Sequence, residues 1–516
     1  MHPKKDKKMI SVLLLFITLI TIYFLNLQVK LGVVYWDTYI YLWNALMFAG
    51  ISPGYKQYLP PLIPFLTGML FKVVGVSEVV LFVICGIIYV LGVLGTYLFL
   101  RLRFTTIESF AGTLILSCMS VVLAWMVAGT LDVPGAMLSV WTIFTFVYGM
   151  EKNKKFLFFT PILYLLAFLT RYTAGLLVIP ILTYLIVSRF KNIKELMIGA
   201  AFGSPILISF MYFLYLKVGN PFIFLGIGIP GTPNPEYPGF NLDSFYYLKH
   251  ILQYISSFPS KEYLGTYLNP SMGYTSPISY VLAFLSILGI SLYLKRHRAI
   301  YGIIPTIFLT ILSLKYQLIY LIPELLLIPC MLFLYSKSKI PKLDLMVFTW
   351  FLTYLFAHSL ICLKVDRYFI TMVIPLTYIL MLGISELKNL ISTSKYNALV
   401  IFLAVGVVIS SLSYYFTITP YRLDSNLENA ATWLKNYDPN YRQKIIFSDH
   451  WIGMSWYLKY EVKRGNPDDF KSIDDLSKML INSNATYFIW TKKGFELKGF
   501  KIIKKFKGAI IYERCR

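Results

Sequence analysis

The sequence predicts a polytopic all-α membrane domain of about 13 transmembrane helices, followed by a small extracytoplasmic α/β domain. Three observations carry this expectation. Apolar runs of roughly 20 residues, the length that crosses a bilayer, recur along most of the chain. The 516 residues are 57% hydrophobic and only 14% charged, with a mean hydropathy of +0.65. After residue 416 the long apolar runs give way to short amphipathic and alternating patterns.

Taken in order, apolar segments begin near residues 9, 78, 107, 134, 155, 173, 194, 276, 299, 317, 343, 367 and 396. The first follows HPKKDKK. It is too long for a signal peptide and lacks a small-residue cleavage site, which favours an uncleaved anchor. The stretch LPPLIPFLTGMLFKVVG at 59–75 is short, starts at Pro60 and Pro61 and carries Lys72. The charge rule for membrane loops decides its place. With thirteen spans, the loops around MHPKKDKK, RLR (101–103), EKNKK (151–155), RFKNIK (189–194), KRHR (295–298), SKSKIPK (336–342) and KNLISTSK (388–395) share one side. Together they hold 20 Lys and Arg, far more than the longer loops opposite. A spanning 59–75 would scramble this pattern, so the stretch reads as a juxtamembrane helix.

The N-terminus is then cytoplasmic, and two large elements face outside, the first loop at 30–77 and a Pro/Gly/Tyr-rich loop at 217–275. The expected domains are 1–416, in the membrane, and 417–516, outside it. In the second, Ser425 and Glu428 match a capping box opening an amphipathic helix. KIIFSD and ATYFIWT read as strands, SIDDLSKMLINS as a helix, and FKIIKKF with GAIIYER as a hairpin turning at Lys507-Gly508. Asn484-Ala485-Thr486 forms a glycosylation sequon facing outside.

Composition also excludes. The 48 Lys and Arg exceed the 25 Asp and Glu by 23, but much of that excess is topology signal, so no nucleic-acid partner is implied. Five scattered cysteines and five scattered histidines show no metal spacing. No glycine-rich phosphate loop, GxSxG elbow or ATPase signature is present, so no nucleotide is expected.

Transporters place ionisable residues near the midplane of their spans. Here the notable charges stand at the outer ends of helices: Asp37, Asp132, Arg171, Lys364, Asp366 and Arg367. Asp37, within VVYWDTYIYLWNAL, reads either as a solvated carboxylate capping an interfacial helix or as a general base or metal ligand. Partial desolvation by its aromatic neighbours would raise its pKa and suit it to accept a hydroxyl proton. Asp132, in AGTLDVPGAML, reads either as an N-cap near Pro134 or as a second carboxylate that shares a divalent cation with Asp37 or positions the acceptor. Arg171, in FLTRYTAG, is either a snorkelling interfacial arginine or part of the same ring. Lys364 and Arg367, in LKVDRYF, put two cations in a short outside loop against the charge rule. Such a pair suits a lipid-linked phosphate, with Asp366 orienting Arg367. His358 reads as a hydrogen-bonded core residue, and DHWIGMSWY at 449–457 as packing of the last domain.

At these residues the chain resembles the GT-C type integral-membrane glycosyltransferases, and within them the family of dolichyl-phosphate-mannose protein mannosyltransferases and aminoarabinose transferases. In that family an aspartate follows the first span, as Asp37 does. A Pro-Pro-Leu element precedes the second span, matched by YLPPLIPFL with Tyr58, Pro60 and Pro61. An L-D-x-P-like stretch opens the fourth, matched by LDVP at 131–134. LLAFLTRYTAGLL matches the end of the fifth, and KVDRYFITMVIP, with Tyr368, the opening of a late one. Two positions depart: Leu59 stands where His or Lys is often found, and Thr38 replaces an acidic neighbour of the first aspartate.

The resemblance implies a donor sugar on a polyprenyl (dolichyl) phosphate and a protein, lipid or glycan acceptor, met at the outer membrane face. Arg367, with Lys364 and Arg171, would hold the phosphate as it leaves. Asp37 would deprotonate the acceptor for an inverting displacement. A divalent cation is compatible with Asp37 and Asp132. Two other functions remain open. An oligosaccharyltransferase-like subunit would carry a WWDYG-type sequence and a paired acidic motif, and neither is present. A lipid or sugar transporter would carry polar midplane spans.

Overall fold

The computed structural model describes residues 3–226, 240–258, 274–316, 319, 321–413, 415–417, 422, 424–492 and 494–515. Much of the expected outer loop at 217–275 lies outside them. The chain divides into two compact units, Met1–Phe24 with Cys85–Thr419 and Leu25–Ile84 with Pro420–Arg516. The sequence boundary at 416 had put the first outer loop with the membrane part; the structure instead groups that loop with the C-terminal residues.

The first unit is helical, and each of the thirteen apolar segments contains a helix. Among the described residues, eight helices are long and apolar enough to cross a membrane, which makes this a multi-pass membrane protein. The other segments give shorter helices for visible reasons. Thr106–Ser117 stops at Cys118, because Met119 turns to φ −56°, ψ 134° before Ser120–Trp125 resumes. Phe159–Thr170 ends where Arg171 adopts an extended conformation. Thr106–Ser117 begins with a capping box: Thr105 Oγ1 accepts from the Glu108 amide while Glu108 Oε2 accepts from the Thr105 amide at 2.7 Å. Two spans are far more enclosed than most, with 83% of Asp132–Glu151 and of Asp366–Asn389 buried, against 17% of Ile193–Val218. Pro277–Arg296 crosses the second of these where Gly289 meets Gly383. A Cβ on Gly289 would fall 1.8 Å from the Gly383 carbonyl oxygen, so the close crossing depends on glycine.

In the second unit, Trp36–Phe48 is buried on all sides from Thr38 to Leu46. Leu62–Val74 packs against it through Ile63, Thr67, Gly68 and Phe71. Pro61 stands just before its first turn, where a missing N–H costs nothing. Its opposite face exposes Phe65, Leu66, Leu70, Val73 and Val74. At 13 residues it falls short of a bilayer, and an apolar outer face suits the interface.

The C-terminal residues form a five-stranded sheet in the order Lys463–Arg464, Ile446–Ser448, Tyr487–Trp490, Ala509–Arg514, Phe500–Phe506. The first three strands are parallel and the last two antiparallel additions. The hairpin through Lys507-Gly508 is as expected, with a bulge between Ile502 and Lys504. Phe447, Leu476, Leu480, Phe488, Trp490 and Tyr512 make the core. Ser472 caps Ile473–Asn482 by accepting from the Asp475 amide at 3.2 Å. The expected capping box at Ser425 and Glu428 does not form. Helix Ser425–Tyr437 has Asp424 at its N-cap, and Glu428 is drawn instead to Arg422 Nε at 2.7 Å. Asp424 in turn accepts from the hydroxyls of Tyr39 (2.8 Å) and Tyr457, which outcompetes a local cap. DHWIGMSWY does mark packing: it forms Trp451–Leu458, seated on Trp36–Phe48.

Candidate active site

Four expected residues meet in the first unit. Asp132 opens one of the two most enclosed helices and is 1% exposed; its N-cap is Leu131, so it is not the cap itself. The carboxylate takes two cations. Arg171 Nη1 lies 2.5 Å from Oδ1, and Arg367 Nε lies 3.9 Å from Oδ2. The Arg171–Oδ1 contact falls outside hydrogen-bonding alignment, so it is an ion pair by distance alone. Arg171 Nε donates to Thr173 Oγ1 at 3.0 Å. The Arg171 side chain lies along the helix at Gly135, where a Cβ would come within 2.8 Å of Arg171 Cβ. The Tyr368 ring serves both guanidiniums, 5.0 Å from that of Arg171 and 5.9 Å from that of Arg367, and Trp125 flanks Arg367 at 5.8 Å.

Beside Arg171 a cavity of about 10 Å³ is lined by Gly135, Ser139, Thr173, Tyr354 and Thr371, which is room for a water and not for a phosphate. His358 Nε2 lies 2.9 Å from Thr371 Oγ1, as a hydrogen-bonded core residue should.

Lys364 is placed differently from the expectation. Its ammonium donates to the carbonyls of His358 (3.1 Å), Ser359 (2.6 Å) and Ile361, closing the C-terminal end of helix Lys342–Leu360. With its three donors spent and 6% exposure, it is a helix cap and not a free phosphate ligand. Burial pushes its pKa down to about 8. Asp366 accepts from the hydroxyls of Tyr246 and Tyr254, each at 2.8 Å, on helix Tyr246–Ile255.

Asp37 belongs to the second unit. It is half-buried in the first turn of Trp36–Phe48, where the helix N-terminus favours a carboxylate. Tyr35, not Asp37, is the N-cap. Trp36, 38% exposed, lies 5.0 Å from the His450 ring and 5.9 Å from Trp451, which Tyr55 meets edge-on at 4.4 Å. Burial holds His450 below the ordinary histidine pKa, and among the described residues its Nδ1 has no hydrogen-bond partner. This aromatic group was not legible, because Trp451 and Trp36 are far apart in sequence. Tyr58, Pro60 and Pro61 belong to the same unit, leading into Leu62–Val74.

Among the described residues, no three His, Cys, Asp or Glu side chains converge as a metal site. Asp132 fits a divalent cation poorly, since two guanidiniums already share its charge and would repel another cation.

Residues 59–215 match the model of the family described as dolichyl-phosphate-mannose-protein mannosyltransferase, a stretch that includes Pro60, Pro61, Asp132 and Arg171. No curated protein matches by sequence. Among solved structures the chain is similar to ArnT from Cupriavidus metallidurans, bound to undecaprenyl phosphate and in the apo state. For both the TM-score is 0.61 at 13% identity, over 97% of each chain. It is also similar to the apo oligosaccharyltransferase of Archaeoglobus fulgidus (TM-score 0.51, 12% identity, 93% of this chain and 69% of that one). The arabinofuranosyltransferase AftD from Mycobacteria gives a TM-score of 0.50 at 11% identity, over 98% of this chain and 40% of that one. At these identities the likeness is one of fold. The chain thus has the fold of the GT-C type integral-membrane glycosyltransferases and, over residues 59–215, the sequence pattern of the dolichyl-phosphate-mannose-protein mannosyltransferase family.

Proposed function

We propose that the protein is a glycosyltransferase that moves a sugar from a polyprenyl-phosphate donor to a hydroxyl acceptor at the outer face of the membrane. The observation that carries this reading is the pair of arginines on one buried carboxylate, where Asp132 opens one of the two most enclosed spans and Arg367 stands in the first turn of the other. Two guanidiniums offer fixed, charged donors to phosphate oxygens, and low solvent exposure strengthens their field. That the ArnT structure holds undecaprenyl phosphate supports a lipid phosphate as the anion.

In this reading Arg171 and Arg367 grip the donor phosphate, and Tyr368 keeps both guanidiniums in one layer. Asp37 removes the acceptor proton. The acceptor oxygen bonds to the anomeric carbon, the bond from that carbon to phosphate oxygen breaks with inversion, and the phosphate leaves with the electron pair. The arginines neutralise the charge it gains. The reading draws on no nucleotide, and the absence of any nucleotide motif is consistent with it. Lys364 acts by fixing the end of Lys342–Leu360.

The test uses the full chain in lipid vesicles with a polyprenyl-phosphate mannose donor and a mixed peptide and glycan acceptor pool. Asp37→Asn should lower transfer by about 100-fold or more while donor binding persists. Transfer by D37N at the wild-type rate would remove the general-base role. The proposed orientation puts the N-terminus in the cytoplasm and the C-terminal residues outside. Cys515 is exposed, so a membrane-impermeant maleimide should label it in intact cells; labelling only after lysis would reverse the topology.

A further inference from the structure

Arg367 stands on a connector between two spans. Helix Lys342–Leu360 ends at Ile361, which is extended. Val365 is extended again before the short 3-10 turn Asp366–Phe369 leads into Ile370–Glu386. Lys364 ties the start of the connector to the helix before it. Extended residues have no helix of their own to keep a neighbouring side chain in place, so a precise site on a connector draws its support from elsewhere.

That support comes from the outer loop. Phe240 forms an antiparallel bridge with Leu363, and the Asn241 amide donates to the Cys362 carbonyl at 2.8 Å. Helix Tyr246–Ile255 then lays three tyrosines on the connector. The Tyr247 hydroxyl donates to the Val365 carbonyl at 3.2 Å, and the Val365 amide lies 3.3 Å from the same hydroxyl oxygen. Tyr246 and Tyr254, roughly two turns apart on the helix, both donate to Oδ1 of Asp366, each at 2.8 Å. The Tyr254 ring also stacks on Phe369 at 4.3 Å. A buried carboxylate needs donors for its own sake. Here, however, the carboxylate belongs to the immediate neighbour of Arg367, and the contacts of Phe240, Asn241 and Tyr247 converge on the same connector.

Resting on the phosphate-holding role of Arg367, we propose that Tyr246 and Tyr254 are positioning residues for the donor phosphate. Through Asp366 they fix the connector, so that the Arg367 guanidinium meets the phosphate already in place. Their effect is on donor binding and not on deprotonation of the acceptor by Asp37.

The experiment needs no turnover. The full chain in nanodiscs is titrated with polyprenyl phosphate, and folding of every variant is followed by thermal unfolding. Tyr246→Phe and Tyr254→Phe keep both rings, and with them the Phe369 stack, and remove only the hydroxyls. Each alone should weaken binding about threefold per folded molecule, and the two together about tenfold. The single variants supply the answer if the double one does not fold. Arg367→Gln should also weaken binding, and adding the two Phe substitutions to it should cause no further loss, because they act through Arg367. Tyr293→Phe removes the same kind of bond from Asp344 and should leave affinity within about twofold. Unchanged affinity in the Phe variants, an equal loss in Y293F, or a full further loss in the R367Q background overturns the proposal. If wild type does not bind the lipid, or R367Q binds it as wild type does, the phosphate role of Arg367 falls first and the proposal with it.

Discussion

At Asp344 a fully buried carboxylate receives Arg103 at 3.2 Å, the Tyr293 hydroxyl at 2.7 Å and the Tyr378 hydroxyl. At Asp132 a carboxylate just as buried is shared by two guanidiniums, one of them 3.9 Å away. Both sit in the membrane unit, in the first turn of a span. The first has one cation and several neutral donors, so its charge is spent within the fold. Asp6 follows the same rule, with Arg101, Tyr97 and Thr106 around it, and Glu108 takes the Tyr396 hydroxyl at 2.6 Å. At Asp132, by contrast, two guanidiniums share one carboxylate. Burial and ion pairing alone do not mark a site.

That contrast can be broken from either side. Asp344→Asn should have the larger effect on stability, because Arg103 loses its counter-charge and one of the two acceptor oxygens serving the tyrosines becomes an NH2 donor. A cost of about 2–3 kcal/mol is expected, at the low end for a buried pair because Arg103 is 30% exposed. It would be read from thermal unfolding in detergent, with lipid-phosphate affinity per folded molecule unchanged. A loss of lipid affinity without a loss of stability would place Asp344 in the site and end the comparison. Lys364→Met should have a smaller effect, about 1–2 kcal/mol from three lost carbonyl contacts. Affinity for polyprenyl phosphate should stay within about twofold. A drop of about tenfold would return Lys364 to the phosphate, where its sequence position had suggested it belonged.

The sequence reading and the structure part company for identifiable reasons. Asp132, Arg171, Arg367 and Tyr368 were legible because charges and aromatics at the ends of apolar runs stand out against a hydrophobic background. Lys364 stood out equally, but sequence position does not say which way a flexible side chain turns. A lysine just past a helix end was the available hint of a cap. The hairpin at Lys507-Gly508 was readable because its partners are neighbours in sequence. The Asp344 network was not, since its members come from residues 103, 293, 344 and 378 and two of them are tyrosines without formal charge. The Ser425 capping box failed partly for the same reason, as Asp424 took the distant Tyr39 hydroxyl, and partly because Glu428 paired with the nearby Arg422.

The grouping of Leu25–Ile84 with Pro420–Arg516 has a consequence for how the protein is made. The helix bearing Asp37 leaves the ribosome well before Trp451–Leu458, which it packs against. All of Cys85–Thr419 must be translated in between, a delay of roughly tens of seconds at about 5–20 residues per second. Until then Trp36, Tyr39 and Tyr55 lack their covering rings. The packing around the Asp37 helix is therefore completed only after Pro420–Arg516 has followed, and a newborn chain carries that helix uncovered through the synthesis of the whole membrane unit.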